Sequence, residues 1–137
     1  MRIIPYIVLD GNAREAIDFY AEVFGGKIEG IMTYGDSPFP GMPEEANDRV
    51  MHAHLTIGDA ALMFSDSFPG QSLTFGEQVM VTVMPDSVEE AERIYARLAE
   101  GAQKVEMELQ KTDWSPAYAS LTDKFGIPFQ ISARAEH

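Results

Sequence analysis

Apolar positions in this chain recur with two different periods, and the periods alternate along its length. Ile3 to Leu9 is a short run rich in β-branched residues, which predicts a buried strand with Pro5 marking an edge or an interrupted ladder. The period then changes. Ala16, Phe19, Tyr20, Val23 and Phe24 follow i, i+3, i+4, i+7, i+8 spacing and form one helical stripe. Asn12, with Glu15 three residues on, predicts a capping box at its start, and Gly25-Gly26 predicts its end. Lys27 to Tyr34 reads as a second strand, and Gly35 to Asp48, which holds Pro38, Pro40, Gly41 and Pro43, reads as a loop. Arg49 to Ile57 and Ala60 to Ser65 predict a hairpin around Gly58-Asp59.

The same plan then returns. Gln78 to Met84 predicts a strand, and Ser87 with Glu90 a second capping box. Ala91, Ile94, Tyr95 and Leu98 line a helix that Gly101 stops. Lys104 to Gln110 predicts a strand, Thr112 to Pro116 a loop, and Ala117 to Thr122 with Ile127 to Ser132 a hairpin around Lys124-Phe125-Gly126. Individual residues recur too: Asn12 to Ala16 matches Ser87 to Ala91, Tyr20-Ala21 matches Tyr95-Ala96, and Gly26 matches Gly101. Each half is therefore βαβββ, a supersecondary unit used twice. The expected architecture is α+β: two βαβββ repeats forming paired, curved mixed sheets with flanking helices. Residues 1–137 make one domain, with repeat one at 1–66, a linker at 67–76 and repeat two at 77–132. Two such halves must bury apolar faces, and a cleft between them is a natural place for a small ligand.

Composition narrows the function classes. A formal charge of -12 opposes nucleic-acid binding, which needs clustered Lys and Arg at phosphates. There is no cysteine, which removes disulfides, thiolate chemistry and Cys-based zinc sites and suits a reducing compartment. No apolar run approaches the ~18 residues of a membrane span, and Met1-Arg2 leads straight into a strand pattern, so no signal peptide is expected. The expectation is a soluble cytoplasmic domain with neither nucleic-acid nor membrane partners.

Several segments resemble one family. Pro5-Tyr6, Gly11 to Ala16, Phe19-Tyr20, Val23 to Gly26, Met32 to Asp36, Met51-His52-Ala53, Ile57-Gly58-Asp59, Ser65-Asp66, Trp114 and Asp123 to Gly126 look like the PhnB-like branch of the vicinal oxygen chelate superfamily. That superfamily includes glyoxalase I, bleomycin-resistance proteins and extradiol dioxygenases. The resemblance runs in order along nearly the whole chain and implies the doubled βαβββ fold. It also implies a homodimer, since the superfamily commonly builds its cavities from two chains. It is weaker on activity, because fold and function separate easily. The branch has carried a demethylubiquinone methyltransferase label, but there is no Gly-rich loop after a parallel strand to hold a nucleotide-like cofactor.

In metal-using members of the superfamily, the ligands are His, Glu or Gln on the first and last strand of each half. Superposing the two repeats pairs Pro5 with Met80 and Met63 with Gln130, within one residue of register. Alternation places Met80, Thr82 and Met84 toward a cavity and Val79, Val81 and Val83 toward a helix. Proline and thioether are poor donors for a divalent ion. The family-type metal site is therefore expected to be missing, and no cofactor is expected. A divalent metal stays open only as a non-standard site at two histidines.

Those are His52 and His54, which share one strand face with Val50 and Thr56, opposite Met51, Ala53, Leu55 and Ile57. Two imidazoles at i, i+2 can ligate a metal, share a proton or grip an anion, or serve as polar partners near a sheet rim. His137 is terminal and carries no role. Trp114, the one tryptophan, sits in a loop and suits either a cavity wall or hairpin packing. Tyr118 offers either a ligand contact or a structural hydroxyl. Tyr34 to Pro38 suits a mobile flap or a turn capped by Asp36. Ser65-Asp66 lacks a matched base, and the eight methionines suit an adaptable pocket as well as ordinary core.

The expected ligand-contact set is His52, His54, Met63, Met80, Trp114, Tyr118 and Gln130. Three function classes follow: a metal-independent pocket for an apolar or aromatic compound, a lyase- or isomerase-like enzyme with His52 or His54 as general base, and an assembly module without chemistry. Whether the chain is catalytic, and on what substrate, stays open at this level.

Overall fold

Helix α1 (Ala13–Phe24) buries Ala16, Phe19, Tyr20 and Val23 of the stripe its spacing defines, with Ile17 beside them, and leaves Phe24 half-buried. They cover one face of a four-stranded sheet made of β1 (Tyr6–Leu9), β2 (Lys27–Thr33), β3 (Val50–Ile57) and β4 (Ala60–Asp66), in the order β1-β4-β3-β2. β1 runs parallel to β4, and the other neighbours are antiparallel. Ala53, Leu55 and Phe64 supply the sheet side of this core, and Tyr20 stacks on Phe64 with ring centroids 5.8 Å apart. Burial of each large side chain there is worth about 1.5–3 kcal/mol. The computed structural model describes residues 1–135, so His137 lies outside the described residues.

The second compact unit, which begins at Phe75, repeats this order. Its sheet runs β5-β8-β7-β6, from β5 (Val81–Val83), β6 (Lys104–Gln110), β7 (Tyr118–Thr122) and β8 (Pro128–Ser132), with β5 parallel to β8. Helix α2 (Val88–Leu98) buries Ala91, Ile94 and Leu98, and the sheet contributes Ala119, Leu121, Phe129 and Ile131. Both units are thus α+β, each with one mixed sheet and one α-helix among the described residues.

The two helix starts are built differently. Ser87 accepts from Glu90 N at 3.1 Å, as its position predicts. Asn12 makes no side-chain cap. The buried carboxylate of Asp66, at the end of β4, replaces it: Oδ1 accepts from Gly11 N at 2.8 Å and Ala13 N at 3.0 Å. A charged acceptor at a helix N-terminus outcompetes a neutral amide.

The outer strands are shorter than their apolar runs. β1 starts at Tyr6 because Pro5 has no N–H to donate; its carbonyl still accepts from Met63 N, while Ile3 is exposed. β5 likewise spans only Val81–Val83, and Val79 is exposed. The loop after β2 is pinned at both ends. Thr33 and Asp36 form a reciprocal capping box, Tyr34 N donates to Arg49 O, and Gly35 N donates to Asn47 O. A Cβ at Gly35 would sit 2.8 Å from Asn47 O, so only glycine fits this approach. The capped turn, rather than a free flap, is what these residues make.

Candidate functional site

Alternation splits the first sheet into a helix-facing side and an open side. Ile7 and Leu9 are buried, whereas Tyr6 and Val8 are 46% and 39% exposed. Tyr6 lies opposite Met63, Met63 opposite His54, and His54 opposite Gly30, so one row crosses the open face. His52 lies opposite Met32 in the next row. The expectation for Val50 fails. β3 carries an extra residue, Met51, between the Met32–His52 and Thr33–Val50 pairs, and this bulge turns Val50 away from the histidines into full burial.

Tyr6 Oη and His52 Nδ1 are 3.0 Å apart, with ring centroids 5.7 Å apart and tilted by 33°. This contact leaves His52 Nε2 available. Glu29, Gly30, Met32, His52 and His54 line an open cavity of about 340 Å³. Both predicted histidines are therefore brought together on one wall, with Met63 in the adjoining row.

The second sheet presents a matching open face. Tyr118 Oη donates to Gln130 Oε1 at 2.6 Å, and Gln130 Nε2 donates to Thr82 Oγ1 at 2.6 Å. Trp114 stands edge-on to Tyr118, with centroids 5.2 Å apart and planes at 75°. Its loop is held by Ser115, whose single hydroxyl proton is shared between the carbonyls of Ala117 at 3.0 Å and Ala133 at 2.9 Å. Trp114 is 62% exposed and lines two cavities, of about 410 and 420 Å³. Met84, Asp86 and Ser132 belong to the first, Val88, Lys111 and Pro116 to the second, and Arg134 to both. Met80 precedes β5 and is half-buried, outside these linings.

The strand register corrects one part of the metal argument. Leu9 O accepts from Ser67 N, and Pro85 O accepts from Arg134 N, so Leu9 and Pro85 are equivalent. Asp10 and Gly11 then precede the cap Asn12, whereas Asp86 alone precedes Ser87. Aligning the helices therefore misplaces β1 by one residue. Tyr6, not Pro5, faces Met63, and Thr82, not Met80, faces Gln130. The four family positions hold two hydroxyls, a thioether and an amide, with Tyr6 engaged by His52 and Gln130 engaged at both ends. This donor set does not fit a divalent ion that wants imidazole or carboxylate. Among the described residues, no three His, Asp or Glu side chains stand close enough to hold a metal as they are placed.

Sequence reasoning missed Glu29, Met32 and Arg134 as lining residues, and Tyr6 as the partner of His52. A signal for Glu29 was present: Lys27-Ile28-Glu29 recurs as Lys104-Val105-Glu106.

Comparison with known proteins agrees with the architecture. The model of a family described as 3-demethylubiquinone-9 3-methyltransferase matches residues 1–132. The chain is 35% identical to protein PA1353 of Pseudomonas aeruginosa, with 99% of each chain covered and a TM-score of 0.90. It is 28% identical to protein YjdN of Escherichia coli, over 96% of this chain and 95% of that protein. A PhnB protein from Bacillus cereus, titled a putative 3-demethylubiquinone-9 3-methyltransferase, is 27% identical over 98% of this chain and all of that one, with a TM-score of 0.81. A glyoxylase/bleomycin resistance protein/dioxygenase domain from Frankia sp. shares the fold at 13% identity and a TM-score of 0.68. No helix among the described residues is long and apolar enough to cross a membrane.

Proposed function

The chain belongs to the PhnB-like 3-demethylubiquinone-9 3-methyltransferase family and shares the fold of a glyoxylase/bleomycin resistance protein/dioxygenase domain, and from that premise we propose that it binds a small apolar or aromatic molecule without a metal at the four positions described above. Exposed Trp114 carries this reading. An indole held edge-on against Tyr118, between two cavities and beside Met84, Val88 and Pro116, offers a flat apolar wall. The Tyr118–Gln130–Thr82 hydrogen-bond chain keeps that wall in place. Arg134 and Lys111 at the rim supply polar groups that would orient a ligand.

The single tryptophan makes the test direct. A panel of aromatic metabolites is screened for thermal stabilisation, which follows mass action, and each hit is titrated against Trp114 fluorescence. Hits should quench or shift the emission and should lose affinity in Trp114→Ala. Stabilising compounds that leave Trp114 emission unchanged would sink this placement of the site. The reading includes a homodimer, which sedimentation would reveal.

A second reading, a lyase- or isomerase-like enzyme with His52 or His54 as general base, draws on the Tyr6–His52 hydrogen bond, which orients one imidazole toward a cavity. Lost turnover with retained binding in His52→Ala or His54→Ala would favour it. Methyl transfer is not proposed. The turn before α1 spends its backbone N–H groups on Asp66, so no glycine-rich loop is left there to cradle a nucleotide-like donor.

A further inference from the structure

The two β2-type strands share a feature that their sheets use differently. Lys27 pairs with Thr56 and Ile28 with Leu55, and the ladder then skips to Gly30 and His54. Lys104 pairs with Thr122 and Val105 with Leu121, and that ladder skips to Met107 and Ser120. Glu29 and Glu106 are therefore equivalent bulge residues, and a bulge re-aims the side chain it carries. In the second unit, Glu106 Oε2 accepts from Ser120 Oγ at 2.9 Å. The position equivalent to Ser120 is His54: one faces Met107 and Gln130, the other Gly30 and Met63. Where the second unit has Met107, the first has Gly30, and a Cβ there would meet nothing within 4 Å. The space above His54 is open.

From this we infer that the cavity on the first sheet binds one late first-row divalent cation of the zinc, nickel or copper class, through His52 Nε2, the His54 imidazole and the Glu29 carboxylate. Alternate residues of a strand share a face, so both imidazoles are presented together. Borderline divalent ions prefer imidazole with a carboxylate. A ligating imidazole normally has its other nitrogen held, and Tyr6 Oη holds His52 Nδ1 in that way. Glu29 lies 4.0 Å from Lys27 Nζ in an exposed ion pair, a contact of little worth that the carboxylate can leave as it turns over His54. The net charge of -12 draws cations to the chain. This site uses none of the four family ligand positions except that Tyr6 supports it, and it does not depend on the Trp114 reading.

The test is a calorimetric titration of the full chain with Zn²⁺, repeated with Ni²⁺, at neutral pH. The expected result is one ion per chain, no stoichiometric binding in His52→Gln or His54→Gln, and weaker binding in Glu29→Gln. Tyr6→Phe should lose about tenfold in affinity, as for a supporting group around a ligand. Glu106→Gln, in the equivalent bulge, should bind as the unaltered chain does. Circular dichroism checks that each variant is folded, and the surface position of Glu29 keeps that arm readable if a histidine variant is not. No binding by the unaltered chain, or undiminished binding in His54→Gln, overturns the site. Unchanged affinity in Glu29→Gln overturns the third donor.

Discussion

Replacing Asp66 by alanine should cost more stability than any surface change in this chain. The residue is 2% exposed, and its two oxygens accept from three backbone N–H groups: Gly11 at 2.8 Å, Ala13 at 3.0 Å and Val50 at 2.9 Å. A hydrogen bond to a charged group nets about 1.5–3 kcal/mol, and a buried donor left unpaired costs its desolvation as well. Gly11 N is partly buried, so water can replace one of the three bonds. The expected loss is about 4 kcal/mol, built from two full contributions and a fraction of the third. That is a large share of the roughly 5–15 kcal/mol of a typical domain. Asp66→Asn keeps the shape but turns an amide donor toward a backbone donor, so about 2 kcal/mol is expected. Urea unfolding followed by far-ultraviolet circular dichroism gives the free energies, and native-state hydrogen exchange locates the damage. The amides of Gly11, Ala13 and Val50 should lose protection first. A loss below about 1 kcal/mol in Asp66→Ala, or unchanged protection at those amides, would refute the role assigned to this carboxylate.

Gly126→Ala should destabilise the last hairpin by about 1 kcal/mol or more, because φ is 84° and a Cβ would fall 2.8 Å from the Phe75 ring; thermal melts measure it. Asp36 should titrate below the ordinary aspartate range, since the backbone N–H and hydroxyl of Thr33 favour its charged form. Its folded-state value is depressed, so its contribution is present above the unfolded value and lost as pH falls through the lowered one. An acid titration followed at the Thr33 amide checks this, and Asp36→Asn should abolish the transition there. Phe64→Ala, at a fully buried site stacked on Tyr20, should cost about 3–5 kcal/mol in the same urea assay.

The points where reading the chain succeeds and fails share one cause. Both helices, both hairpins and the order of elements were legible because periodicity and turn chemistry act over a few residues. The placement of His52 and His54 on one wall was legible too, since alternation along one strand is local. Val50 was not, because an extra residue in β3 relative to β2 flips the face, and a bulge is a property of a pair of strands. Pro5 was taken for Tyr6 because the helices and strands of the two repeats keep different offsets, a difference held in the turn before each helix. Glu29 was overlooked because the bulge that carries it is a property of the β2–β3 pair.

The pattern along the chain by itself determined the doubled βαβββ plan. It also pointed to a missing family-type donor set; the register moves that set by one residue at Tyr6 and by two at Thr82, and the four positions still hold no imidazole or carboxylate. Tertiary structure decided how the helix start is satisfied, which residues share a wall, and that Trp114 stands out as exposed surface. These depend on groups distant along the chain competing for the same donors and the same space. Asn12 is a good local cap, yet the α1 N-terminus goes to a carboxylate delivered by the sheet, because a buried charge must collect every N–H within reach.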